Sequence, residues 1–211
     1  MFACRGRDPR LQHVGACLKP VPEKLKHDRP GWGKWGTWEE TESCLGKVIG
    51  VAEGADAVEL GTIRRWMESK EFDCPTHLDD AAAQAAGYKG VIAPDNMIFT
   101  YGLPAYWQSG DPHEQLGAEP RQIPIPVIFD VPAPCNLSFA ANINVEFFAP
   151  MYLGDRITRT SRLVSIKRKT LRVGDGAFLR QEDTYTNQDD EVVAIVNLDI
   201  FRFVAPEDKE N

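Results

Sequence analysis

The stretch Asp73-Cys74-Pro75-Thr76-His77-Leu78-Asp79 places two carboxylates, a thiol and an imidazole within a few residues of one another. An imidazole gains or loses its proton near neutrality, so His77 is the first candidate for proton transfer. A structural reading competes with this one, in which His77 only caps or hydrogen-bonds locally in a loop before a helix. Asp79 reads as the N-cap of that helix, because the Ala-rich Asp80 to Ala86 follows and Gly87 is a natural C-terminal stop. Cys74 beside His77 would be a nucleophile if an imidazolium activated its thiolate, but no third, orienting residue is visible. His13, His27 and His113 lie in Pro- and Gly-rich segments without partners at ligand spacing, so neither a metal nor a cofactor is expected.

The elements that must position these groups read as α+β. The β-branched Leu45 to Ala52 predicts a strand, and Val58, Ile63, Trp66 and Met67 fall near helical spacing after it. Beyond the Ala-rich helix, Val91-Ile92-Ala93 leads through Pro94 into Asp95-Asn96-Met97-Ile98-Phe99-Thr100-Tyr101. Pro94 suits a first helical turn, and the apolar character all round predicts a core helix from about Pro94 to Tyr106. Gln108 to Val131 is loop-like, rich in proline and glycine. Ala141 to Ala149 alternates Ile143, Val145 and Phe147 against Asn142, Asn144 and Glu146, the period of a half-buried strand. Further strands are predicted at 156–167, 171–173, 178–186 and 191–204. Gly154-Asp155, Gly174-Asp175-Gly176 and Asn187 to Asp190 read as their turns. Residues 1–44 read as an extension, with Trp32, Trp35 and Trp38 pinning it onto the body or a partner, and 45–211 as one domain.

Net charge bounds the partners. At −7 and an acidic pI, the chain lacks the clustered cations that nucleic acid or an anionic membrane would require. The run Lys167-Arg168-Lys169 sits in a predicted strand and reads as a solvated face. No stretch approaches the ~18 apolar residues of a membrane span, and the five cysteines, odd in number and without a C-x-x-C pair, read as reduced thiols. The expectation is a soluble, cytoplasmic protein.

Several motifs in order then resemble one family. Gly61 to Trp66, Asp73 to Asp79, Ala83, Gly87-Tyr88-x-Gly90-Val91-Ile92-Ala93-Pro94, and Asn144-x-Glu146-Phe147-Phe148-x-Pro150 with Gly154-Asp155 resemble the MaoC-like hydratases/dehydratases. Within that group they are similar to the branch named for the fungal fatty-acid-synthase dehydratase domain, and the likeness covers roughly Leu45 to Val204. It implies a single hot-dog fold, an antiparallel sheet wrapped around a central helix. It also implies addition of water to a 2-enoyl thioester, or the reverse. Water is a poor nucleophile, so a carboxylate and an imidazole must share its protons as it attacks Cβ and a proton reaches Cα. By resemblance that pair is Asp73 and His77, and the helix start Pro94-Asp95-Asn96 binds the thioester, the Asp95 N–H facing the charge that develops on its oxygen. The sequence departs from the family pattern in two ways. Asp73 lies four residues before His77 where the family has five, with Cys74 in the place of an Asn, and Pro94-Asp95 stands where His-Gly is common.

The resemblance leaves three functions to separate: an enoyl-CoA (or acyl-carrier) hydratase or 3-hydroxyacyl-thioester dehydratase, a non-catalytic subunit that shapes the acyl pocket of a MaoC-like partner, and an acyl-CoA thioesterase. The chain holds one copy of the motif set, so the second half of the site is expected from another chain, an identical copy or a MaoC-like partner. The Trp arm and Ile123 to Pro134 are the surfaces expected in that contact.

Overall fold

The computed structural model describes residues 33–105 and 127–206. Its sheet has five antiparallel strands: β1 (Val48–Glu53), β2 (Leu137–Phe147), β3 (Thr158–Leu171), β4 (Gly174–Thr186) and β5 (Val192–Val204). They lie in the order β1-β3-β4-β5-β2, so β1 and β2 form the edges. This is the hot-dog sheet that the resemblance implied. The helices are α1 (Trp38–Ser43), α2 (Leu60–Glu68), α3 (Asp80–Ala85) and α4 (Ile98–Tyr101), the last entered through a 3-10 turn at Asp95–Met97.

Side chains of a strand alternate between its faces, and register decides which residues meet. Gln181 pairs with Leu198, Asp183 with Val196 and Tyr185 with Ala194, so these share the face covered by α2 and α4. There Ile63 and Met67 of α2 and Met97, Ile98 and Tyr101 pack with Met151, Ile157, Tyr185, Ala194 and Val196. Burying Ile98 contributes about 1.5–3 kcal/mol by area alone, and truncating it to Ala would cost about 2–5 kcal/mol once the cavity is counted. At the other end of the face Leu163, Ala177, Leu179 and Ile200 pack with Ile128 and Val131, and Trp38 of α1 lies against them. Between the two apolar halves lies a polar island of Ser161, Gln181 and Asp183, all buried. Gln181 Nε2 donates to Asp183 at 2.8 Å, Ser161 Oγ bonds the same carboxylate, and the Ile128 N–H donates to Gln181 Oε1 at 2.7 Å.

Helix ends follow the residue types. α1 begins on a capping box, with the Glu40 N–H bonded to Thr37 Oγ1 at 3.2 Å and the Thr37 N–H to Glu40 Oε2 at 2.8 Å. Asp79 caps α3 by accepting the Ala82 N–H at 2.7 Å. The helix closes on Gly87 at φ +93, whose N–H bonds Gln84 O at 3.0 Å while that of Tyr88 bonds Ala83 O at 3.1 Å. This is the paired closure that a left-handed glycine permits.

Four expectations need correction. The helix expected from Pro94 to Tyr106 is the 3-10 turn Asp95–Met97 followed by α4, which ends at Tyr101. Gly102 ends it where any Cβ would lie 2.3 Å from the Tyr185 ring, and Pro104 turns Leu103 away from helical geometry. Phe99 and Thr100 are exposed, so α4 is not apolar-buried all round. The separate strand at 171–173 does not form: Leu171 ends β3, Arg172 and Val173 make the turn, and Gly174 to Gly176 begin β4. Gly174 is needed there because a Cβ would lie 1.9 Å from Val204 O. Finally, β2 is not half-buried. Among the described residues it is an edge strand paired only with β5, and it leaves Phe139, Ile143 and Phe147 exposed, Ile143 at 54%.

Candidate active site

The loop before α3 is wound into a 3-10 turn at Pro75–His77, with proline at its first position, where a missing N–H costs nothing. The turn buries His77 and sets its ring 5.8 Å from that of Phe72, which meets Trp66 of α2 edge-on at 6.2 Å. His77 Nδ1 lies 2.8 Å from Ile92 O. A carbonyl oxygen only accepts, so Nδ1 carries the hydrogen, and Nε2 of the neutral ring keeps its lone pair. The ring is thus both oriented and held in one tautomer.

Ile92 is itself clamped. Its N–H donates to Thr76 O at 3.4 Å, and it bridges to Tyr152, while the Ala93 N–H donates to Met151 O at 2.8 Å. Behind this pair stands Asp155, buried, accepting the Tyr152 N–H at 2.7 Å and Gln188 Nε2 at 3.0 Å. A continuous run of hydrogen bonds and backbone pairing therefore leads from Asp155 through Tyr152 and Ile92 to the imidazole. The sequence reads Asp155 as a turn residue and as part of the family motif, without a role behind His77. The signal available was Gly154-Asp155 itself, where a left-handed glycine at φ +92 lets the following carboxylate fold back over its own turn.

Pro94-Asp95-Asn96 begins two residues after Ile92, whose carbonyl holds the His77 ring, so at most about 11 Å of backbone separates Ile92 from Asp95. Pro94 is buried, and Asp95 and Asn96 are exposed at the start of the 3-10 turn, where backbone N–H groups lack intrahelical acceptors. The structure does not join Asp73 to His77: Asp73 is exposed, and no hydrogen bond connects the two among the described residues. Cys74 packs its side chain against the α2–α4 core, and its Sγ lies 3.2 Å from Thr76 Oγ1, the setting of a structural thiol. Lys167, Arg168 and Lys169 are exposed, Arg168 lying 4.9 Å from the Trp38 ring centroid. Trp32, Tyr106, His13, His27, His113 and residues 123–126 lie outside the described residues. The described part of the Pro-rich segment is packed into this chain: Pro132 O accepts Thr41 Oγ1, Ala133 bridges Trp35, and Val131 and Ala133 are buried. No helix among the described residues is long and apolar enough to cross a membrane.

With this geometry in hand, residues 44–196 match the family described as FAS1-like, dehydratase domain region. A "Probable enoyl-CoA hydratase alpha subunit" of Thermomonospora curvata is 27% identical over 164 residues, 77% of this chain and 50% of that protein. The "3-oxo-4,17-pregnadiene-20-carboxyl-CoA hydratase alpha subunit" of Mycobacterium tuberculosis is 30% identical over 152 residues, 70% of this chain and 45% of that protein. The chain thus spans about half the length of the curated relatives it matches. Among solved structures, a chain of the ChsH1-ChsH2 complex from Mycobacterium tuberculosis shares the fold at a TM-score of 0.59 and 22% identity, covering 80% of this chain and 96% of that one. The five-stranded sheet and the matched region agree, and the chain belongs to the family described as FAS1-like, dehydratase domain region.

Proposed function

We propose that this chain is a hot-dog subunit of an enoyl-thioester hydratase, with an enoyl-CoA as its thioester, working reversibly as a 3-hydroxyacyl-thioester dehydratase. The observation that carries the reading is the His77 ring, buried and fixed through Nδ1 so that Nε2 is the free basic atom. In the hydration direction Nε2 takes a proton from water as the water oxygen bonds Cβ, electron density moves onto the thioester oxygen, and a proton returns to Cα. The Asp95 N–H is the donor assigned to that oxygen, and Pro94 and Asn96 shape its turn. Asp73 enters as the second acid/base group by closure of its loop on the substrate, since catalytic hydrogen bonds of this kind tighten in the complex.

A specific observation favours a second reading. Asp73 stands apart from His77 at the surface, and both curated relatives are named alpha subunits, which fits a scaffold whose MaoC-like partner supplies the acid/base pair. In either case a second hot-dog unit is required, and the exposed apolar row of β2 is the edge we assign to it. Turnover of crotonyl-CoA and of a bulkier enoyl-CoA, read by loss of enoyl absorbance with light scattering on the same sample, tests both. An active dimer whose kcat falls about 10²–10⁴-fold in His77→Ala supports the enzyme. Activity only with a co-expressed partner and indifferent to His77→Ala supports the scaffold. Full activity of a monomer would refute both.

A further inference from the structure

The polar island does not end at Asp183. Along the same face β3 places Arg159 opposite Tyr185, and the two line a cavity of about 480 Å³ together with Asp183. The remaining wall is apolar, contributed by Phe99, Phe129, Phe139, Ile143, Val196 and Leu198 among others. Arg159 is only 6% exposed, and its Nε has no hydrogen-bond partner among the described residues. A buried cation costs free energy unless its donors are satisfied, so an arginine held this way at a cavity wall is an unfilled demand for an acceptor. Asp183 does not fill it. Its Oδ1 takes Ser161 and Gln181 and its Oδ2 takes Gln181.

We propose that this cavity is a subsite for the far end of an apolar acyl group bearing one uncharged acceptor oxygen, a ketone or a hydroxyl, which the Arg159 guanidinium and the Tyr185 hydroxyl receive. The charge balance selects an uncharged oxygen. Arg159 and Asp183, one cation and one anion, are both buried in this wall, so a carboxylate would bring a further charge out of water. Burial pushes the Tyr185 phenol up to about 12, which leaves it a neutral hydroxyl across the physiological range. The position also fits. Phe99 on the cavity wall follows Asp95 by four residues of one helical run, an axial rise of about 6 Å from the assigned thioester oxygen donor. Only the identity of the occupant rests on the acyl-thioester reading; the binding test needs no turnover.

The test measures binding of three bicyclic probes to the full chain by saturation-transfer NMR titration: tetralin, 2-tetralone, and 5,6,7,8-tetrahydro-2-naphthoate. The wild type is expected to bind the ketone about tenfold more tightly than the hydrocarbon, the worth of one hydrogen bond from a charged donor, and more tightly than the carboxylate. Arg159→Met keeps the length of the side chain and is expected to erase the ketone preference while retaining tetralin, with folding checked by circular dichroism. Asp183→Asn unbalances the wall and is expected to move the preference about tenfold toward the carboxylate, so it decides the matter should Arg159→Met not fold. Equal affinity of the wild type for tetralin and 2-tetralone, a carboxylate bound tightest by the wild type, or a ketone preference that survives in Arg159→Met would each overturn the proposal. Loss of enoyl-CoA turnover with these preferences intact would count against the hydratase reading alone.

Discussion

Removing the Asp155 carboxylate should reach His77 through the backbone. Asp155→Ala deletes acceptors for the Tyr152 N–H at 2.7 Å and for Gln188 Nε2 at 3.0 Å. Hydrogen bonds to a charged acceptor contribute about 1.5–3 kcal/mol each, and Gln188 has water as an alternative, so the expected loss of stability is about 2–4 kcal/mol. Asp155→Asn keeps one acceptor oxygen and should lose about 1 kcal/mol. Tyr152 then no longer fixes Ile92, the Ile92 carbonyl shifts, and the imidazole it holds shifts with it. A displacement near 1 Å costs up to about 10²-fold in rate, so kcat on an enoyl-CoA should fall about 10–10²-fold in Asp155→Ala and less in Asp155→Asn. Urea unfolding gives the stability and the absorbance assay gives kcat. The decisive measurement is the cycle with His77→Ala, in which Asp155→Ala should lower kcat no further because the group it positions is gone. Additive losses in the double variant would show that Asp155 does not act through His77.

Three further outcomes follow from the same geometry. Asp79→Ala should lower unfolding free energy by about 1 kcal/mol, because the Ala82 N–H loses its cap, and Asp79→Ser should restore most of it. Tyr185 has its folded pKa raised from 10.0 to about 12, chiefly by desolvation, so the stability it contributes is complete below pH 10 and is lost as pH rises toward 12. The slope amounts to about 2–3 kcal/mol in all, and Tyr185→Phe should flatten it in alkaline melts. Asp199 has its folded pKa lowered, first by its hydrogen bond from Arg180, so its contribution is present above the ordinary carboxylate range and is lost as pH falls through the folded value. Acid melts of Asp199→Asn should accordingly show a shallower decline than wild type below about pH 4.

Residue types made much of this legible. Asp79 as a cap and Gly87 as a stop are local chemistry, set by hydrogen bonds within a turn of helix, and both stand in the structure. Apart from 171–173, the expected strands also form, since alternation is a property of each segment alone. What alternation cannot say is which face another element covers, and so β2 reads as half-buried although nothing among the described residues covers Ile143. The end of α4 is hard to read for a related reason: Gly102 follows its last residue because Tyr185, eighty-three positions away in sequence, leaves no room there for a side chain. His77 is legible through the family pattern, whereas the clamp behind it depends on long-range pairing of Ile92 with Tyr152. Arg159, Ser161, Gln181, Asp183 and Tyr185 did leave a signal, being polar residues in phase with Leu163 and Leu179 along two otherwise apolar stripes. Polar residues in an apolar phase are the pattern to look for.

The edge formed by β2 also bears on how such a chain survives its own synthesis. Strand edges are commonly shielded from indiscriminate pairing by lysines, prolines or repeated bulges. Along its eleven residues β2 offers one charged side chain, Glu146, no lysine or proline, and a single irregularity between Ala140 and Asn142. With Phe139, Ile143 and Phe147 exposed beside open backbone groups, an orphan copy presents a template for self-addition and a handle for chaperones and proteases. If the second unit proposed above covers that edge, cellular abundance should follow its supply, making dosage balance between the two, and not fold stability, the quantity that sets how much of the protein accumulates.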